Sequence, residues 1–312
     1  MDNLTHSLFG LALAQSGLRR ASRFGTATLL VGANLPDVDA FAYLVGTNSE
    51  ALAFRRGWTH GILAMVVLPV LLALAGWGIG KLLRPHPVKG TASWRGLLLL
   101  AAIGVWSHPL LDLLNVYGIR LLMPFSGHWF KADALFIIDP WMWLVLLGGL
   151  VLGRVRASPR PSRGALGVFA GYALVMAVLG RIGPGIVAGQ TGVEARTMAA
   201  PGPLNPLRRQ VLRDLGPEYE SGELRFGFPP AYRSGNRIPA GRNDPGAREA
   251  AASPDGRWFL RWARFPVFVS EPVHGGLRVT IQDLRFGRSI RNGSWASISV
   301  LVPRPGSGAP AP

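Results

Sequence analysis

The chain contains no cysteine, so disulfides and thiolate metal sites are excluded, while the redox compartment stays open. Charge is scarce as well: 16% of its 312 residues are Asp, Glu, Lys or Arg, against roughly 25% in an average soluble protein. With 49% hydrophobic residues, that shortage points to a membrane protein carrying a soluble portion. Lysine is nearly absent, since thirty of the thirty-three basic residues are Arg. The net charge of +16 therefore does not indicate nucleic acid, because the arginines are scattered and no aromatic-basic module accompanies them. Arginines beside membrane spans, facing anionic membrane lipids, account for it. The opening "MDNLTHSLFG" has an acid and no basic n-region, so it is not expected to be a cleavable signal peptide. No internal repeat is present.

What is there is a series of apolar runs. Gly61 to Gly80 has no charge and is long enough for a ~30 Å hydrocarbon core. Gly96 to Leu111 is apolar except for His108 and is expected to stay helical to about Tyr117. Leu135 to Gly153 is interrupted only by Asp139, and Gly164 to Gly180 is charge-free. These are four spans. Upstream, Leu4 to Gly17 is a shorter apolar helix, and Phe24 to Gly46 is a longer one that Pro36 should bend or open. The expected fold is mainly α: a polytopic bundle of about six helices over residues 1–183. After Arg181 the composition turns to Gly, Pro and Arg. "RWFLRWARFPVFVSE" and "GLRVTIQDLRFG" then alternate like half-buried strands. Residues 184–303 should form a β-rich extramembrane domain, and 304–312 a disordered tail.

Basic residues set a topology. Lys81, Arg84, Lys89 and Arg95 fall between spans three and four, and Arg154, Arg156, Arg160 and Arg163 between spans five and six. Arg19, Arg20 and Arg23 fall between the first two helices, whereas the alternate loops are poorer. The positive-inside rule puts the rich loops in the cytoplasm and the β-rich domain outside. His60, Asp112 and Asp139 then all lie toward the external face.

Four of the seven acids in residues 1–183 (Asp37, Asp39, Asp112, Asp139) interrupt apolar segments, and so do His6, His60 and His108. An unpaired carboxylate in hydrocarbon costs several kcal/mol, so such residues usually have a task. His108 and Asp112 are spaced i, i+4 and project from one helix face, which suits two ligands of one divalent cation or a histidine hydrogen-bonded to its neighbouring acid. Asp37 and Asp39 could both ligate, or one could ligate while the other orients a histidine. His60 opens a span and is a good ligand or a plain cap. Asp2 reads as a first-turn acid. Histidines and aspartates without cysteine suit zinc, manganese or a dinuclear hydrolytic site. Arg55 or Arg56 could neutralise a phosphate beside it.

In this order, "LTHSLFG", "NLPDVDAF", "RRGWTHG", "SHPLLDLLNVYG", "MPFSGHWF" and "FIIDPW" resemble the bacterial LexA-binding, inner-membrane-associated metal-dependent hydrolases, over about residues 1–215. The ligand order is also similar to zinc-dependent phospholipases C and P1-type nucleases. That likeness implies metal binding by His6, Asp37 or Asp39, His60, His108 and Asp112, although the later His-x-x-x-Glu pair of those enzymes is missing here. The expectation is a multi-pass inner-membrane hydrolase for a phosphoester, a lipid or lipid-linked one, with a metal-bound water as nucleophile. Its metal ligands would be His6, Asp37, Asp39, His60, His108 and Asp112. Arg56 would hold the phosphate, and Asp139 would brace a ligand or serve a second metal. A metal or proton transporter would instead spread its ligands over several depths. A non-catalytic envelope protein would close the coordination shell.

Overall fold

The computed structural model describes residues 1–83, 92–287 and 296–303. The expected tail and, of the counted basic residues, Arg84 and Lys89 lie outside the described residues. The helices are α1 (Asn3–Gln15), α2 (Gly25–Asn34), α3 (Ala42–Val45), α4 (Asn48–Phe54), α5 (Ile62–Leu82), α6 (Trp94–Leu113), α7 (Pro140–Val155) and α8 (Arg160–Thr191). Strands β1 (Arg196–Pro201), β2 (Arg208–Asp214), β3 (Glu218–Arg225) and β4 (Ala231–Pro239) follow. Then come α9 (Ala247–Ala252), α10 (Pro254–Trp262), β5 (Pro266–Val273), β6 (Gly276–Asp283) and β7 (Ser297–Pro303). Two compact units result. One comprises Met1–Asp39, Arg56–Ile182 and Ala200–Pro206; the other comprises Ala40–Arg55, Gly183–Ala199 and Leu207–Pro312.

The helices α5, α6 and α8 are long and apolar enough to cross a membrane. The fourth expected span is shorter than its apolar run. Asp139 caps α7, its Oδ1 accepting from the backbone N–H groups of Trp141 at 3.0 Å and Met142 at 3.3 Å. Ahead of it the N–H groups of Ala134 and Leu135 bond to Leu114 O at 2.8 and 2.9 Å, so this apolar stretch is loop rather than helix. α6 likewise stops at Leu113, short of Tyr117, because the chain turns there to make those contacts. α1 and α2, with 13 and 10 residues, are about 20 and 15 Å long, too short to cross alone.

The helices alternate in direction. At one end Ser22 Oγ accepts from Ser93 N–H at 3.2 Å and Arg163 Nε donates to Ser16 O at 2.8 Å, which gathers the arginine-bearing turns. The other end holds Met1, the turn after α2, residues 56–61, the end of α6 and the start of α7. Leu8, Leu111, Leu135, Met142, Leu146 and Phe169 pack the core between them. Val66, Leu71 and Leu174 are more than half exposed, which hydrocarbon tolerates and water would penalise.

The second unit builds two sheets, ordered β1-β2-β3-β4 and β5-β6-β7. Val187 from the end of α8 packs with Ala199, Val211 and Leu224 beneath the first. A buried ion pair joins Arg213 to Glu220 at 3.0 Å, and the Tyr232 hydroxyl donates to the same carboxylate at 2.6 Å. Of the described residues 53% are helix and 20% strand, so "mainly α" gives too little weight to these sheets. The stretch "RWFLRWARFPVFVSE" is helix first and strand second. Ser253 caps α10 by accepting from Gly256 N–H at 3.0 Å, Pro254 suits the first turn, and Phe259 and Trp262, three apart, bury one face. α8 also runs past Gly180, through Pro184, to Thr191.

Candidate metal centre

Two glycines bring α2 and α6 together. A Cβ on Gly32 would stand 3.2 Å from Gly104 Cα and 3.1 Å from Val105 N, so the backbones touch at this crossing. The approach lets Ala33 O meet His108 Nδ1 at 2.7 Å. A carbonyl only accepts, so Nδ1 carries the proton and Nε2 presents its lone pair to the interior.

His60 is held in the same sense from another direction. It ends the tight turn Gly57–His60, and its Nδ1 lies 2.9 Å from Thr59 Oγ1 and 3.3 Å from Asp39 Oδ2. That carboxylate oxygen accepts from Thr59 Oγ1 at 2.9 Å and from Arg56 N–H at 2.7 Å. Arg56 adopts φ 49° to aim this N–H, a left-handed conformation that costs a non-glycine residue about 1–3 kcal/mol.

Asp37 and Asp39 divide their work because the segment Leu35–Phe41 is a 3-10 helix. At three residues per turn, positions two apart point to different sides. Asp39 goes inward under His60. Asp37 faces His108 Nε2 at 3.7 Å, takes a hydrogen bond from Asn3 Nδ2 at 3.2 Å, and keeps its side chain 11% exposed.

Four ligand atoms converge. His60 Nε2 and His108 Nε2 are 3.1 Å apart, and Asp112 Oδ2 lies 3.5 and 3.6 Å from them. One ligand atom from each of Asp37, His60, His108 and Asp112 fits within 4.8 Å of the others. Around a tetrahedral zinc with bonds of ~2.0–2.2 Å, ligand atoms stand roughly 3.3–3.6 Å apart, so the donor set and its spacing could hold a divalent ion. A buried atom without a hydrogen bond supports that fit, Asp112 Oδ2; both ring nitrogens of the neighbouring His6 also lack one. His6 stacks on His108 with centroids 3.8 Å apart and its Nε2 lies 3.5 Å from Asp112 Oδ1, so it flanks the four without joining them. The Met1 amine touches the same Oδ1.

Arg56 reaches the centre through Asp112 Oδ2, at 3.2 Å. Its other terminal nitrogen donates to Asn115 Oδ1 at 3.3 Å, and the guanidinium lies 4.4 Å over the Tyr117 ring. Asp139 is used otherwise: both its oxygens serve the α7 cap and the Tyr172 hydroxyl, 3.0 Å away, and it is not one of the four. Asp2 caps α1, accepting from Thr5 N–H at 3.0 Å. Arg55 lies over Tyr43 in the second unit. Two participants escaped the sequence reading. Asn115 donates to Asp112 Oδ1 at 3.3 Å and accepts from Tyr117 N–H at 2.9 Å; its place three residues after Asp112 was the available signal. Arg120 is buried, bonds Arg56 O through its N–H at 2.7 Å and lies over Trp129; nothing in "GIRLLMP" marks it.

All these ligands sit at one end of the helices, away from the arginine-rich turns. A helical unit of this kind, with three membrane-length helices and a buried His/Asp centre, defines a membrane protein able to hold a divalent metal. The family follows from comparison: residues 1–183 match the YdjM inner membrane protein family, and the chain belongs to it. The uncharacterized protein YfhP of Bacillus subtilis is 26% identical over 174 residues, which cover 51% of this chain and 48% of that protein. The chain thus spans about half the length of this curated relative. No solved structure matches.

Proposed function

We propose that this protein is a metal-dependent hydrolase of a bacterial inner membrane, acting on a phosphoester presented at the membrane interface. The observation that carries the reading is the convergence of Asp37, His60, His108 and Asp112 beside a buried arginine. Zinc suits the nitrogen-rich half of this set, and manganese the carboxylates. When bound, such an ion supplies Lewis acidity toward a phosphoryl oxygen and acidifies water. The chain's own residues do the rest. Asp39 and Thr59 hold His60 in one tautomer, and Ala33 O does the same for His108. Asn115 and Tyr117 fix the Arg56 guanidinium, whose fork matches two phosphoryl oxygens. Asp37 alone of the four is partly exposed, so substrate would approach on its side. The likeness of ligand order to phospholipases C supports a phosphoester. The positive-inside rule supports an external centre and an external β-rich unit.

A second reading has its own observation. His60, His108 and Asp112 are fully buried, and four protein ligands saturate a tetrahedral zinc, as in structural sites. Metal analysis of detergent-purified protein, paired with turnover on a lipid phosphoester and on a soluble phosphodiester, separates the two. Turnover that disappears with the metal and returns with it supports the hydrolase. Stoichiometric metal without turnover on either substrate supports the structural role.

A further inference from the structure

The segments at the arginine-rich end of the helices carry many cations and no acids of their own. Residues 3–36 and 140–165 contain seven arginines and not one Asp or Glu. Arg19 and Arg20, in the turn after α1, and Arg154, in the last turn of α7, line a single 190 Å³ cavity with Gln15 and Ser158. Among the described residues none of these three guanidiniums is paired with a carboxylate. Three exposed guanidiniums around so small a space repel one another. An anion would relieve that repulsion.

A second cavity gives the anion its chemistry. This 370 Å³ groove shares Arg19, Arg154 and Gln15 with the first, and its remaining walls include Leu11, Thr26, Leu150, Val151 and Val155. It runs between the last turn of α1, the first turn of α2 and the end of α7, where Val151 and Val155 are 51% and 76% exposed. An arginine-lined cavity thus adjoins an apolar groove. We infer that this end binds one anionic glycerophospholipid, its phosphodiester between Arg19, Arg20 and Arg154 and an acyl chain in the groove. Guanidinium forks match phosphate oxygens, and basic pockets between membrane helices suit anionic head groups. A free phosphate would use the cavity and leave the groove empty. A zwitterionic lipid would bring its own cation against the arginines.

The test is native mass spectrometry of the full chain in detergent, with phosphatidylglycerol, phosphatidylcholine or inorganic phosphate added. Phosphatidylglycerol should remain bound at least roughly fivefold more than phosphatidylcholine. Arg19→Gln/Arg20→Gln/Arg154→Gln should reduce it to the phosphatidylcholine level. Arg95→Gln, which removes an exposed arginine at the first turn of α6, should leave it unchanged. Thr26→Trp, which fills the groove, should lose the lipid but keep any thermal stabilisation by inorganic phosphate. If the triple variant does not fold, Arg154→Gln and Thr26→Trp carry the same comparison. Equal retention of both lipids, or full retention by the arginine variants, overturns the inference. Stabilisation by inorganic phosphate with no bound lipid overturns it too, in favour of a free-anion site.

Discussion

His60 and His108 present their Nε2 atoms to each other at 3.1 Å, from chain positions 48 residues apart. Their Nδ1 atoms are tied back, to Thr59 and Asp39 in one case and to Ala33 O in the other. Two imidazoles with Nδ1–H fixed present two lone pairs to each other, which a cation between them satisfies. Replacing His108 by Ala should therefore abolish metal retention during purification, measured by elemental analysis. Asp39→Asn weakens the outer support of His60 and the hold on Arg56 N–H, and should weaken metal affinity about 10–100-fold without abolishing it. Full metal content in His108→Ala would sink the centre as drawn.

Arg56 tests catalysis separately from binding. Its guanidinium touches Asp112 Oδ2 at 3.2 Å, so removing the charge would leave a buried carboxylate poorly compensated, at a cost of about 3–5 kcal/mol. Arg56→Lys keeps the charge and loses the fork. It should leave metal content near normal and lower phosphoester turnover roughly tenfold, about 1.4 kcal/mol of barrier. Unchanged kcat/KM would mean that Arg56 serves only to neutralise Asp112.

The α2–α6 crossing should be intolerant of bulk. Gly104→Val must push Gly32 and Leu29 O away, since its Cβ alone would stand 3.2 and 3.1 Å from them. Overpacking of this kind costs typically about 1–3 kcal/mol. Because Ala33 O follows Gly32, the variant should also lose metal affinity, read by competition with a chelator. A fall in melting temperature with unchanged affinity would uncouple the crossing from the centre.

Much of this site was visible in the sequence because its strongest signal is local. His108 and Asp112 share a helix face by spacing alone, and a polar residue inside an apolar run is conspicuous. The division between Asp37 and Asp39 was not visible, since it depends on the 3-10 geometry that follows Pro36. Asp139 looked like the others until its neighbour Pro140 turned out to start a helix that it caps. Arg120 reaches the centre only through tertiary packing. In the fold, apolar runs located the helices but not their ends: Leu135–Ile138 is as apolar as a span and is paired loop. Period-two and helical patterns are equally hard to separate over the nine residues of α10.

Topology gives the fourth prediction. The turns holding Arg19, Arg154 and Arg163 meet at one end of the helices, which is the arrangement charge counting requires. A reporter active only outside the cytoplasm should be silent when fused after Arg163 and active when fused at the C-terminus. The reverse result would place the metal centre within reach of cytosolic substrates.

The last prediction separates a catalytic ion from a structural one by what its removal does to the fold. A site that binds only the native state stabilises it by RT ln(1 + [L]/Kd), about 4 kcal/mol when the ion is present at a thousand times Kd. A chelator should therefore lower the melting temperature under either reading, so the loss alone decides nothing. Asp37 decides. It is the one partly exposed ligand, and its Oδ2 takes a hydrogen bond from Asn3. Asp37→Asn leaves His60, His108 and Asp112 in place, the three-ligand arrangement that catalytic zinc sites use. In a hydrolase that opens on this side, the variant should retain most of its metal and melting temperature while turnover changes by an order of magnitude or more. In a structural site that depends on all four ligands, Asp37→Asn should release the metal and melt at the temperature of the chelated wild type, with no activity to lose. Differential scanning fluorimetry with and without chelator, alongside metal content, reads both outcomes from one preparation.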